Sequence, residues 1–65
     1  MNLDSIMVKE GDKVLFKRKD FTIIGEVLRV KEESVIVQIS NSDAELIDVQ
    51  TPLTVVSHKH YKKLS

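Results

Sequence analysis

Two runs of β-forming residues, 21–31 and 35–40, constrain this chain more than anything else in it. They flank the polar turn Lys31-Glu32-Glu33-Ser34. Val, Ile and Thr dominate both runs; such residues lose side-chain freedom in a helix and fit a pleated surface, so two strands are expected. The first run is apolar on both faces. Phe21, Ile23, Gly25 and Val27 fall on one side, and Ile24, Leu28 and Val30 on the other. Such a strand is either covered twice or bent, so that its two halves meet the core differently. A chain of 65 residues has no second layer to spare for a flat strand. A bend is therefore expected, marked by Gly25, since an isolated Gly in a strand signals a bulge or a close backbone approach.

The remaining segments supply partners for this pair. Gly11-Asp12 is a turn signal ahead of a first strand over 13–18, in which Val14 and Phe16 share a face and Lys13 and Lys17 take the other. Lys17-Arg18-Lys19-Asp20 reads as a cationic loop. In 35–40, Val35, Val37 and Ile39 point inward and Ile36 and Gln38 outward. Ser42 with Glu45 three residues on matches a capping box, so 43–49 forms either a helical turn or an irregular loop. Thr51 before Pro52 favours extended backbone. A fourth strand over 53–57, a 3₁₀ turn over 58–60 and a short closing strand over 61–64 complete the chain. The fold class expected is all-β: a small five-stranded SH3-like barrel with a 3₁₀ turn before the last strand, spanning 11–65 as one domain. Closure removes the exposed edges that a small sheet struggles to protect. Residues 1–10 form an N-terminal segment in which Ile6, Met7 and Val8 cross a barrel end, begin a strand or fray. The expected core is Val14, Phe16, Ile23, Val27, Val30, Val35, Val37, Ile39, Val55, Tyr61 and Leu64.

Several classes of protein drop out on composition. Cys is absent, which removes disulfide scaffolds, thiolate zinc sites and Cys nucleophiles and fits a cytoplasmic location. The start carries Asp4 and has no basic segment followed by an apolar run, so it does not read as a signal peptide. No apolar run nears the roughly 20 residues of a membrane helix, and no membrane association is expected. Ten basic and ten acidic side chains cancel but are unevenly spread. Residues 32–48 hold five acids and no base, whereas 49–65 hold three lysines and no acid. This is either ordinary surface charge or a functional dipole.

Four blocks in order carry a family likeness: Gly11-Asp12-x-Val14-x-Phe16, Ile24-Gly25-x-Val27-x-x-Val30, Glu33-Ser34-Val35-Ile36-Val37 and Thr54-Val55-Val56-x-His58-Lys59-x-Tyr61. Together, over roughly residues 9–64, they resemble the YkvS-like family of short uncharacterised proteins of Gram-positive bacteria, a domain of unknown function. The last block is the most specific, and the segment from Ser40 to Pro52 departs from the pattern. The resemblance brings no activity with it. A looser likeness to KOW and Tudor-type modules implies a barrel that binds RNA, protein or modified side chains. A Tudor-style aromatic cage is poorly served by Phe16, Phe21 and Tyr61 alone.

Candidate chemistry is sparse. His58-x-His60 is a metal-like pair, but zinc wants three or four protein ligands and no spacing demands a third, so no metal and no cofactor are expected. Asp48, Ser57 and His58 are residue types of a hydrolase triad without a nucleophile elbow around them, and no enzymatic role is expected. The candidate binding residues are cationic: Lys17, Arg18 and Lys19 in one set, and His58, Lys59, His60, Tyr61, Lys62 and Lys63 in the other. Brought together on one surface, they suit phosphate contacts with Tyr61 or Phe21 as a stacking platform. A pI near 6.7 lies far below the basic footprint of dedicated nucleic-acid domains. The acidic 32–48 span suits a basic protein surface instead. The expected function is a non-enzymatic binding module for a protein partner, with RNA or DNA as the alternative and weak head-to-tail self-association as a further use.

Overall fold

A computed structural model describes residues 8–64. The elements run β1 (Lys13–Arg18), β2 (Phe21–Val30), β3 (Ser34–Gln38), α1 (Asn41–Leu46), β4 (Leu53–Ser57) and β5 (Tyr61–Leu64). All pairings are antiparallel, and the sheet order is β4-β3-β2-β1-β5. The protein is thus a small all-β fold on one five-stranded sheet. The expected closure is absent from the hydrogen-bonding pattern, which leaves β4 and β5 as the two edges. The sheet nevertheless curls enough for Arg18 at the end of β1 to reach across to Thr54 and Val55 on β4.

The bend in β2 lies three residues beyond Gly25. Val27 pairs with Val37 and Arg29 with Ile36, so Leu28 is the extra residue of a bulge. Its insertion reverses the alternation. Val27 before it and Val30 after it both turn to the core side, while Ile24 and Leu28 stay exposed. The two-faced pattern therefore reflects a bulge plus two solvent-facing apolar side chains. Gly25 serves the close approach instead: a Cβ there would lie 3.1 Å from the Gln38 carbonyl oxygen and 3.2 Å from side-chain atoms of Val37 and Ile39.

The β1–β2 connection is shorter than a 17–20 loop. Lys17 and Arg18 belong to β1, as expected of a strand over 13–18, and Arg18 pairs with Phe21, leaving Lys19-Asp20 as a two-residue turn. Both residues have positive φ, 52° and 68°, the signature of the type I′ turn that matches strand twist. In the turn before β1, the Asp12 N–H donates to the Lys9 carbonyl and Gly11 takes φ +93° at the third position, where type II turns need Gly.

Helix α1 forms, but its cap is Ser40 and not Ser42. The Ser40 hydroxyl accepts the Asp43 N–H at 3.0 Å. It closes in a Schellman motif, with Val49 N–H on the Ala44 carbonyl and Asp48 N–H on that of Glu45, and Asp48 takes the left-handed position usually given to Gly. The turn before β5 is a single turn closed by His60 N–H on the Ser57 carbonyl, rather than a 3₁₀ helix.

The core comprises Val8, Val14, Phe16, Ile23, Val27, Val35, Val37, Ile39, Ala44, Ile47 and Val56, with Val30, Val49 and Tyr61 packed against it. Two expected members sit elsewhere. Val55 is 57% exposed, because β4 pairs Val56 with Val35 and so turns Val55 outward; Leu64, on edge strand β5, is also exposed. Val8 joins the core, while the reading of Ile6 and Met7 lies outside the described residues. Every buried side-chain nitrogen or oxygen among the described residues has a hydrogen-bond partner.

Candidate functional site

The nine candidate residues divide into two groups once the sheet forms. In the ladder, Leu15 pairs with Lys62 and Phe16 with Tyr61, so Lys17 stands next to the β4–β5 turn. Lys17, Lys59, His60, Tyr61 and Lys62 line one shallow trough together with Leu15 and Phe16. The ion pairs among the described residues join Lys13 to Glu26, Lys19 to Asp48 and Lys63 to Asp12. Lys17, Lys59 and Lys62 have no carboxylate partner among them. Three lysine side chains thus line one surface without an ion pair to any carboxylate of the described residues.

The other four candidates are engaged in holding the fold. The Arg18 guanidinium donates to the Thr54 hydroxyl (3.3 Å) and the Val55 carbonyl (3.2 Å), and lies 5.7 Å from the Phe16 ring centre. Lys19 bonds Asp48 at 2.9 Å, and this bond, followed by the ammonium's charge, holds the Asp48 carboxyl below its ordinary value. Lys63 lies 3.5 Å from Asp12. The Asp12 pKa is also lowered, chiefly because its carboxylate accepts the Lys9 N–H at 2.9 Å.

His58 ties the two turns together. One ring nitrogen, Nε2, faces the Lys31 carbonyl at 2.8 Å, and the other, Nδ1, faces the Tyr61 hydroxyl at 2.8 Å. A carbonyl only accepts, so Nε2 carries the proton; in the neutral ring the Tyr61 hydroxyl then donates to Nδ1. Burial raises the Tyr61 pKa above its ordinary value. With both nitrogens engaged, His58 offers no lone pair to a metal. Among the described residues no three His, Asp or Glu side chains gather as a metal site. The triad types do not assemble either: Asp48 faces Lys19, and the Ser57 hydroxyl accepts the Lys59 N–H at 3.2 Å.

A second groove lies beside the first. Glu32, Glu33 and Ser34 from the β2–β3 turn, Val55 and Ser57 from β4, and His58 and Lys59 line it. Its acidic wall is visible in the sequence as Glu32-Glu33. Its apolar floor is not, because Val55 reads as a core residue until the pairing of β4 is known.

Fold and surface together define a small all-β protein with a curled antiparallel sheet and a lysine-lined trough at one edge. The chain belongs to the family described as an uncharacterized protein conserved in bacteria (DUF2187), whose model matches residues 7–64. No curated protein and no solved structure matches the chain. Among the described residues no helix is long and apolar enough to cross a membrane.

Proposed function

We propose that this protein is a non-enzymatic, cytoplasmic binding module that docks a protein partner on the trough of Lys17, Lys59 and Lys62. The observation that carries this reading is the convergence of three lysines without carboxylate partners among the described residues, next to the apolar side chain of Leu15. Ile24 and Leu64 extend the apolar part of the same outer face, since Ile24 pairs with Leu15 and Leu64 with Lys13. A surface of mixed charged and apolar character suits an acidic protein segment. The finer fold reading is an SH3-like barrel of the kind found in KOW and Tudor-type modules. It is supported by the strand order, by the long bulged β2 paired on both sides, and by the arm of Arg18 spanning the gap from β1 to β4. The likeness of the Thr54–Tyr61 block to the YkvS-like family belongs to the same reading.

A second reading, RNA or DNA on the same trough, draws on the same lysines, which suit phosphate. It is weaker on stacking. Tyr61 is half-buried with its hydroxyl held by His58, and Phe21 pairs with Arg18 on the opposite face from Lys17. The test is capture from a bacterial lysate with and without nuclease, using wild type and a Lys17→Glu/Lys59→Glu/Lys62→Glu variant. A partner that survives nuclease and is lost in the variant is expected. Loss of every partner after nuclease would favour the nucleic-acid reading, for which short RNA should then shift the amides of Lys17, Lys59 and Lys62 in a salt-sensitive way.

A further inference from the structure

The two grooves share a wall. Lys59, in the turn between β4 and β5, lines both the lysine trough and the groove of Glu32 and Glu33, so a positive and a negative surface adjoin at this residue. The ion pairs among the described residues involve neither Glu32 nor Glu33, and neither Lys17 nor Lys62. Each groove also has an apolar component: half-buried Leu15 in the trough, and well-exposed Val55 beside the acids.

Two adjoining surfaces of opposite charge match, in charge, those of a second copy turned about a two-fold axis along their shared boundary. Turning a second copy by half a revolution about that axis sets Lys17 and Lys62 of each copy against Glu32 and Glu33 of the other, leaves the two Lys59 side chains facing one another at the centre, and closes the contact without a free end. A formal net charge of zero removes the long-range repulsion that keeps many small proteins apart. We propose that this chain pairs with a second copy across the β4–β5 turn, with Lys17 and Lys62 of each copy meeting Glu32 and Glu33 of the other. The inference rests on the protein-docking reading of the trough and names the occupant as the chain itself. Exposed ion pairs are individually weak and screened by salt, so the dimer is a weak, salt-sensitive one.

Sedimentation of the purified full chain over a concentration series tests this. At low salt the average mass should climb towards twice that of the monomer, and added salt should return it to the monomer. A Glu32→Lys/Glu33→Lys variant and a Lys17→Glu/Lys62→Glu variant should each stay monomeric alone. Mixed in equal amounts, they should form a one-to-one dimer, because every like-charge contact within each variant becomes an opposite-charge contact between them. That rescue also shows that both variants are folded. Wild type that stays monomeric into the millimolar range at low salt would overturn the proposal, as would a mixture that fails to pair. Growth past the dimer into longer chains would overturn the two-fold arrangement. If the chain is monomeric while the charge-reversed trough still loses a lysate partner, self-pairing fails and the docking reading stands; if neither effect appears, both fail.

Discussion

Gly25 occupies a tight place in the sheet. Any Cβ added there meets the Gln38 carbonyl oxygen at 3.1 Å, and that oxygen belongs to the neighbouring strand's backbone, which cannot swing aside as a flexible side chain would. Gly25→Ala should therefore destabilise the protein by about 1–3 kcal/mol, the usual cost of forcing a methyl group into a packed site. Urea denaturation followed by circular dichroism measures it, and an unchanged midpoint would show that the strands can part to admit the methyl. The sequence marks Gly25 as special without saying which of two uses applies, and the bend belongs to Leu28. A bulge that consists of one ordinary residue leaves no compositional trace. The same holds for Lys19, Asp20 and Asp48, which adopt positive φ without being Gly. A type I′ turn made of Lys-Asp lacks the Asn-Gly signature, which is why 17–20 reads as a longer loop than the two residues that form it.

At the level of elements, strand order along the chain is legible because turn residues separate the apolar runs, but strand phase is not always so. In Leu53-Thr54-Val55-Val56 both alternations are nearly equally apolar, and only the pairing of Val56 with Val35 decides which set is inside. Helix α1 is similar: the capping-box spacing points to Ser42, but Ser40 is the cap, because β3 ends at Gln38 and the helix follows at once. The end of that helix is latched to the β1–β2 turn by Lys19 and Asp48, which makes its stability depend on acid. The Asp48 carboxyl is held below its ordinary value of 3.8 by the Lys19 bond. A depressed folded pKa means that the latch contributes in full above the unfolded-state value and is lost as pH falls through the folded one. Thermal midpoints should thus decline as pH drops below about 4, and Asp48→Asn should flatten that decline while lowering the midpoint at neutral pH. Asn is chosen because it tolerates the left-handed conformation of this position. Asp12, lowered chiefly by its bond from the Lys9 N–H, leaves a residual acid sensitivity in the variant. Identical pH slopes for the two proteins would mean that the Lys19–Asp48 contact is only incidental in solution.

The whole molecule raises the question of what keeps an open sheet curled. Its ladder ends at β4 and β5, and nothing in a linear pattern reveals whether two distant strands approach one another. Arg18 answers it with a side chain that runs over the Phe16 ring and ends on Thr54 and on the Val55 carbonyl. The sequence offers Arg18 as one of three consecutive cations, indistinguishable from Lys17, which faces the trough. Only the pleat separates them, sending Lys17 outward and Arg18 to the core side next to β4. The placement also protects the fold. Ile36 and Val55 are paired in β3 and β4, and the Val55 carbonyl taken by Arg18 is one that an intruding strand would otherwise use. Arg18→Ala removes both bonds and the cation over the ring, and should cost about 1–2 kcal/mol after allowance for its partial exposure. It should also increase association at the uncovered β4 edge, where Leu53 and Val55 are exposed. Arg18→Lys keeps the charge and loses the fork that reaches two acceptors at once, so it should recover the resistance to association better than the stability. Urea midpoints and light scattering on the three proteins separate these effects. A variant lacking Arg18 that unfolds at the wild-type midpoint and scatters no more would mean that the backbone ladder alone sets the curl, and that Arg18 belongs with Lys17 among the side chains available to a partner.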